Sequence, residues 1–172
     1  AGTQLAGRRV FASLDVPTAV FEGIQADVRL LHAGATGLPL RRRDAHKGCF
    51  GHVVVVGGAP GMCGAARLAA EAAARGGAGL VSVATHPQHA AWLNARRPEP
   101  LGRAVAHADE LGPLLSRASG VVVGPGLWQG EWSRGLLEKV GESHLPLIVD
   151  ADALSLLAND PLRKDNWVLT PH

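Results

Sequence analysis

The sequence is poor in cysteine, with only Cys49 and Cys63 among its 172 residues. Neither has a partner at the spacing of a metal site, and two thiols cannot build the disulfide framework of a small secreted domain. Cys63 stands in a tight glycine-rich stretch, where we expect it to pack as a small apolar residue. The cysteine content therefore favours the reducing environment of the cytoplasm.

The sequence also lacks a strong charge bias and a long hydrophobic run. Its formal net charge is only +2, which does not favour binding to nucleic acid or to a membrane surface. No apolar stretch approaches the roughly 18 residues of a membrane-spanning helix, and no targeting leader is visible. We therefore expect a cytoplasmic protein with no nucleic-acid and no membrane partner.

What the sequence does have is a regular α/β pattern from Phe50 onward. Hydrophobic residues make up 47% of the chain, enough for one domain with a substantial core. Apolar, β-branched runs alternate with helical patterns, which predicts a mostly parallel sheet with helices on both faces. The predicted strands are 52–58, 80–85, 121–124, 146–152 and 167–172, and helices are predicted from about residues 65, 87, 108, 131 and 152. Residues 1–45 differ, and their Gly-, Pro- and Arg-rich end indicates a linker.

The residues that follow the strands are rich in groups that bind ligands. In a parallel sheet these residues gather at one edge, beyond the carboxyl ends of the strands. The first strand is followed by GGAPGMCGA, in which Gly58, Gly61 and Gly64 are spaced three apart, unlike the dinucleotide pattern G-x-G-x-x-G. Such a loop before a helix can hold an anion, or it can be a tight turn without a ligand. The GPG at 124–126 either lines a ligand path or makes a turn.

Two carboxylates and an imidazole follow the later strands. Asp150 and Asp152 would face the same side if the strand continued, and could then hold magnesium through water or orient a hydroxyl group. For Asp152, capping of a helix that begins at Ala153 is the favoured alternative. His172 at the end of TPH is either a ligand contact or structural, whereas His86 and His89 are expected on the surface.

Four stretches resemble, in order and spacing, the ADP- or ATP-dependent NAD(P)H-hydrate dehydratase family: HKGCFGHVVVVGGAPGMCGAARLAAEAAARGGAGLVSVAT, VVVGPGL, VDADALSLLA and VLTPH. The resemblance implies a ribokinase-like fold and the repair of NADHX and NADPHX, the hydrated forms of the reduced nicotinamide cofactors. It implies that ADP or ATP, with Mg²⁺, phosphorylates the hydrate before phosphate leaves. It places substrate contacts at Ala65, Gly126 and His172. From their positions after the strands, Gly58, Gly61, Gly64 and Asp150 are further possible contacts to substrate or phosphate.

The resemblance also has departures. The family usually has GPGLG where this chain has GPGLW, with Trp128 in place of the last glycine. The family also usually has DADALN where this chain has DADALS, with Ser155 in place of the asparagine. The family's catalytic Asp would lie beyond residue 172, so no catalytic residue is assigned and the chain alone is expected to be inactive. Residues 39–172 are then the N-terminal part of the dehydratase domain. Residues 1–38 are predicted to be the tail of an epimerase-like domain with its linker.

Two alternatives stay open beside this interpretation. The first is another ribokinase-like small-molecule kinase, and the second is a non-catalytic fragment that binds a dinucleotide. The resemblance further implies a homo-oligomer for the full-length protein. For the 172-residue chain we expect low solubility or oligomers, because an apolar strand such as VLTPH at a sheet edge promotes association.

Overall fold

The structure is a computed structural model, and it describes residues 7–8, 10, 12–25, 40–96 and 101–172. The chain divides into two compact units, Ala1–Arg41 and Arg42–His172. In the first unit the described residues form one short helix, α1 (Thr18–Glu22), which has no buried residue. The identity of residues 1–38 as the end of an epimerase-like domain stays a prediction.

The second unit is built on a six-stranded parallel sheet with the order β3-β2-β1-β4-β5-β6. Its strands are β1 (His52–Val56), β2 (Leu80–Thr85), β3 (Leu101–Ala104), β4 (Gly120–Val123), β5 (Leu147–Asp150) and β6 (Trp167–Thr170). Five of them follow predicted strands, with ends that differ by a few residues. The sixth, β3, was not predicted, because LGRA has no β-branched residue and little apolar character.

Helices connect the strands. They are α2 (Cys63–Gly76), α3 (Pro87–Arg96), α4 (Gly112–Leu115), α5 (Glu131–Glu142) and α6 (Ala151–Asn159), with 3-10 turns at Lys47–Phe50 and Ala108–Leu111. The helix predicted from about residue 108 is in fact this second 3-10 turn followed by α4. Pro113 stands in the first turn of α4, where its missing N–H costs nothing.

Both faces of the sheet are packed, as predicted. Along β1 the side chains alternate, since Val54 and Val56 join the core that contains α5 and α6, whereas Val55 joins the core that contains α2. On the α2 side, Ala66 and Ala70 are buried, and their small side chains let the helix lie close to the strands. The helix also carries an ion pair one turn apart, in which Arg67 Nε donates to Glu71 Oε1 at 2.7 Å.

Both cysteines are free. Within the described ranges, no helix combines the length and the apolar character that a membrane crossing requires.

Candidate functional site

The candidate site lies at the carboxyl edge of the sheet, where the loops after five of its strands meet. Because all six strands are parallel, the segments that follow β1, β2, β4, β5 and β6 emerge on the same side. These segments begin at Gly57, His86, Gly124, Ala151 and Pro171. The edge is therefore the place where the glycines, carboxylates and imidazoles predicted from the sequence come together.

The glycine-rich loop after β1 is bonded directly to the loop after β4. Gly58 N–H donates to the Pro125 carbonyl at 3.2 Å, and Ala59 N–H donates to the Gly126 carbonyl at 2.7 Å. Gly126 has φ +62°, and a Cβ at this position would lie 2.4 Å from the Met62 carbonyl oxygen. Only glycine fits such an approach of two backbones. The fold thus brings Gly126 against the residues that open α2.

Most amides of the glycine-rich loop are used within the protein. Besides the bonds of Gly58 and Ala59, Gly57 N–H donates to the Ala84 carbonyl, and Gly61 N–H donates to His89 Nε2 at 3.1 Å. Gly58 is itself buried, and a Cβ there would meet Thr85 Oγ1 at 2.5 Å. The amides of the loop are therefore hydrogen-bonded within the protein, and these bonds stabilise the loop conformation.

The amides that remain for a ligand are those of the first turn of α2. The first N–H groups of a helix, here those of Cys63, Gly64 and Ala65, have no carbonyl one turn before them. Met62 at the N-cap gives no side-chain cap, and the first turn carries no acidic residue. Gly64 and Ala65 are exposed. Together with the positive end of the helix dipole, this turn is suited to an anionic or carbonyl oxygen of a ligand.

Three polar residues at and just after the end of β2 make contacts at this edge that were not predicted from the sequence. Thr85, which is fully buried, donates from Oγ1 to the Gly58 carbonyl at 2.8 Å. His89 accepts the Gly61 amide, and the His86 ring packs edge-on against Trp132 at 5.7 Å between centroids. The prediction that His86 and His89 are plain surface residues missed these contacts. Their position directly after a strand was the available signal.

Each of the two carboxylates has a hydrogen-bond partner within the protein. The strand stops at Asp150, so the two residues are not placed as successive residues of one strand face. Helix α6 begins at Ala151, and Asp152 does not cap it, which corrects the favoured interpretation. Instead, Asp152 Oδ2 accepts the Trp128 N–H at 2.8 Å, and Asp150 Oδ1 accepts the Thr170 hydroxyl at 2.7 Å. Each carboxylate thus ties the start of α6 to a neighbouring loop or strand.

His172 is exposed and lies two residues beyond the end of β6. It is therefore at the same edge as Ala65 and Gly126. In the parts of the chain that the structure describes, no three His, Cys, Asp or Glu side chains form a group that could hold a metal ion.

A second concave region lies elsewhere on the protein. A cavity of about 710 Å³ is lined by residues from the C-terminal halves of α5 and α6, including Leu137, Gly141 and Leu156, and by Leu162 and Lys164. In a parallel α/β sheet the helices run opposite to the strands, so their C-terminal ends lie at the amino edge of the sheet. This cavity is separate from the edge that carries the glycine-rich loop.

Comparison with known proteins gives a consistent result. A family model described as NAD(P)H-hydrate dehydratase matches residues 53–172. The bifunctional NAD(P)H-hydrate repair enzyme Nnr of Coxiella burnetii is 49% identical over 168 residues, which are 96% of this chain and 34% of that protein. The ADP-dependent (S)-NAD(P)H-hydrate dehydratase of Lactiplantibacillus plantarum is 40% identical over 137 residues, which are 77% of this chain and 49% of that protein.

Solved structures show the same relationship. The ADP/ATP-dependent NAD(P)H-hydrate dehydratase of Bacillus subtilis, crystallised with ATP and Mg²⁺, matches with a TM-score of 0.58 and 26% identity. The matched region is 77% of this chain and 47% of that protein's chain. A ribokinase-like superfamily protein from Enterococcus faecalis has a TM-score of 0.68 and 31% identity, and covers 77% of this chain and 49% of its own. The predicted ribokinase-like fold is confirmed. The chain spans about a third to a half of the length of the two relatives described above.

Proposed function

This chain belongs to the NAD(P)H-hydrate dehydratase family, and we propose on that basis that it takes part in the repair of hydrated NADH and NADPH. The described residues supply part of the site for the hydrate, NADHX or NADPHX. The observation that carries this assignment is the uncapped first turn of α2, with Ala65 exposed and Gly126 packed directly behind it.

The contacts proposed for the hydrate follow from this geometry. The N–H groups of Gly64 and Ala65 donate to an oxygen of the dinucleotide, because they are the amides in this loop region that the fold leaves without carbonyl partners. Gly126 sets the distance between the loop after β4 and this turn, and His172 contributes from the end of β6. Gly61 and Gly58 act mainly by shaping the loop, since their amides are bonded within the protein.

The chemistry proposed for the longer protein is phosphorylation followed by elimination. A nucleotide, ADP or ATP, transfers its terminal phosphoryl group to the hydroxyl oxygen of the hydrate. The carbon–oxygen bond then breaks, phosphate leaves, and the ring loses a proton as its double bond returns. Phosphorylation turns a poor leaving group into a good one. The catalytic Asp implied by the resemblance lies outside residues 1–172, so none of the described residues is assigned as catalytic.

Magnesium is proposed to arrive with the nucleotide. Mg²⁺ commonly reaches such sites bound to the phosphates of its nucleotide and keeps several waters. Asp150 and Asp152 hold Thr170 and the Trp128 amide, respectively, and no metal ligand is assigned to either. The cytoplasmic location and the homo-oligomer of the full-length protein stay predictions.

A charge placed at Ala65 tests the proposed contact. Ala65→Asp puts a carboxylate in the first turn of α2, where it favours the helix by about 0.3–1 kcal/mol but repels an anionic ligand. Ala65→Asn has the same shape without the charge. We expect isothermal calorimetry to show binding of NADHX by the 172-residue chain, and Ala65→Asp to weaken it by at least about tenfold, which is 1.4 kcal/mol.

The controls separate a lost contact from a lost fold. The melting temperature of Ala65→Asp is expected to equal or exceed that of the parent chain, and Ala65→Asn is expected to bind within a few-fold of it. Equal affinity of the Asp and Asn variants for NADHX would show that the hydrate does not lie at this turn. A small-molecule kinase without a hydrate site would bind ADP or ATP but not NADHX.

A further inference from the structure

Trp128 has a backbone conformation that is unusual for its residue type. Its φ is +63°, in the left-handed region where a side chain is strained and glycine is favoured. The side chain is also 61% exposed, so burial in the core does not offset the strain. A large aromatic residue that is both strained and exposed calls for a role outside the packing of this chain.

Hydrogen bonds of Trp128 and of the residue before it hold this conformation. Its own N–H donates to Asp152 Oδ2 at 2.8 Å, and the preceding Leu127 is fully buried. The Leu127 N–H donates to the Gly124 carbonyl at 2.9 Å, and the Leu127 carbonyl accepts the Ser133 hydroxyl. The backbone thus holds Trp128 at one place, which is what a preorganised contact residue requires.

The location of Trp128 is the carboxyl edge of the sheet. It stands two residues after Gly126, which contacts Met62 and the start of α2, and its amide partner Asp152 lies in the first turn of α6. The residue is therefore in the segment that joins the glycine-rich loop to the end of β5. No other large aromatic residue among those described is both strained in this way and exposed to this degree.

We propose that Trp128 is a stacking platform for a planar nitrogen heterocycle of the ligand and determines affinity for the ring-bearing part of the dinucleotide. The proposal rests on the proposed function, since it concerns the same edge. A Trp ring offers a large flat face at low conformational cost, and stacking of a base on an aromatic side chain contributes strongly to affinity. Adenine has such a planar aromatic face, whereas the hydrated nicotinamide ring contains saturated carbons, so the adenine ring is the expected partner of Trp128.

The test compares ligands with and without a ring in three variants of the 172-residue chain. Trp128→Gly removes the ring and relieves the strained φ. Trp128→Phe keeps an aromatic face, and Trp167→Phe is the matched control, because Trp167 lies in β6 and packs against the core. The probes are NADHX, ADP-ribose, nicotinamide mononucleotide and inorganic pyrophosphate, each titrated by calorimetry, with a melting temperature measured for every variant.

Trp128→Gly is expected to weaken NADHX binding by at least about tenfold, with an equal or higher melting temperature and unchanged affinity for pyrophosphate. Trp128→Phe is expected to stay within about threefold of the parent chain, as is Trp167→Phe. The loss for ADP-ribose compared with that for nicotinamide mononucleotide identifies which ring stacks on Trp128.

Other outcomes would overturn the proposal. If Trp128→Gly binds NADHX as tightly as the parent chain does, the stacking role is wrong while the proposed function stands. If the parent chain binds none of the ring-bearing probes, both fail. If Trp128→Gly changes only the oligomeric state, Trp128 is a protein contact and not a ligand platform.

Discussion

Replacing Gly126 by alanine tests the contact on which the candidate site is built. Gly126 has φ +62°, and its new Cβ would lie 2.4 Å from the Met62 carbonyl oxygen and 3.0 Å from the Met62 Cβ. The first of these contacts is with backbone, so it cannot be relieved by turning a flexible side chain. The loop after β4 and the start of α2 must move apart.

The expected cost has two parts. The left-handed conformation costs a residue with a side chain about 1–2 kcal/mol, and overpacking a tight contact costs about 1–3 kcal/mol. Their sum, about 2–5 kcal/mol, corresponds to a fall in melting temperature of about 4–20 °C for a domain of this size. Differential scanning calorimetry of the 172-residue chain measures it.

Two other glycines of the same region provide matched controls. Gly61 has φ +81° but open space around a new Cβ, so Gly61→Ala should show the strain of about 1–2 kcal/mol alone. Gly64 has neither a positive φ nor a close neighbour and stands in α2, so Gly64→Ala should be neutral or stabilising by up to about 1 kcal/mol. A Gly126→Ala variant that melts at the parent temperature, or above Gly61→Ala, would refute the geometry.

Three further predictions concern other parts of the fold. His89→Ala removes the acceptor of the Gly61 amide and is expected to weaken NADHX binding by about two- to tenfold in calorimetry, the range of one hydrogen bond of about 0.5–1.5 kcal/mol. Burial lowers the pKa of His52, whose Nε2 shares a 2.8 Å hydrogen bond with buried Ser82, below its ordinary value of 6.5. As pH falls below about 6.5 the unfolded chain therefore takes up this proton first, so stability falls with pH until the pKa of the folded state is passed. Val168→Lys is expected to reduce self-association in analytical ultracentrifugation, because Val168 is 58% exposed on the edge strand β6.

Each of these has a result that would contradict it. For His89, the control is His89→Gln, whose side-chain oxygen can still accept a hydrogen bond. If His89→Ala binds NADHX as tightly as His89→Gln and the parent chain do, the contact between His89 and Gly61 is dispensable for binding. For His52, the melting temperature should change less from pH 8 to pH 5 in His52→Asn than in the parent chain. Identical changes would contradict the lowered pKa of this partly buried imidazole. For Val168, a parent chain that is already monomeric and melts cooperatively would argue against association through β6.

The strands that are rich in β-branched residues were predicted from the sequence, whereas β3, which has no β-branched residue, was not. HVVVV and LVSVAT have the composition of buried parallel strands, and both form them. β3 is made by LGRA at the edge of the sheet, where pairing with β2 and not side-chain character determines the structure. Local pattern alone could not have found this strand.

The same limit applied to the candidate site. The set of residues at the carboxyl edge was predicted because topology alone places strand ends together. The partners of individual groups were not, since Asp152 bonds to Trp128 and His89 bonds to Gly61 across 24 and 28 positions of the chain. Which backbone amides stay free for a ligand depends on such long-range bonds. The free amides therefore could not be predicted from the sequence and follow only from the contacts between the folded loops.

The most direct test of the account is an NMR titration of the ¹⁵N-labelled 172-residue chain with NADHX. We expect the largest shifts at the amides of Gly64, Ala65 and Gly126, with a smaller response at His172. The amides of Gly141 and Leu156, which line the separate cavity between α5 and α6, are expected to stay unchanged. Shifts confined to that cavity, or no shifts at saturating hydrate, would contradict a hydrate site at the carboxyl edge.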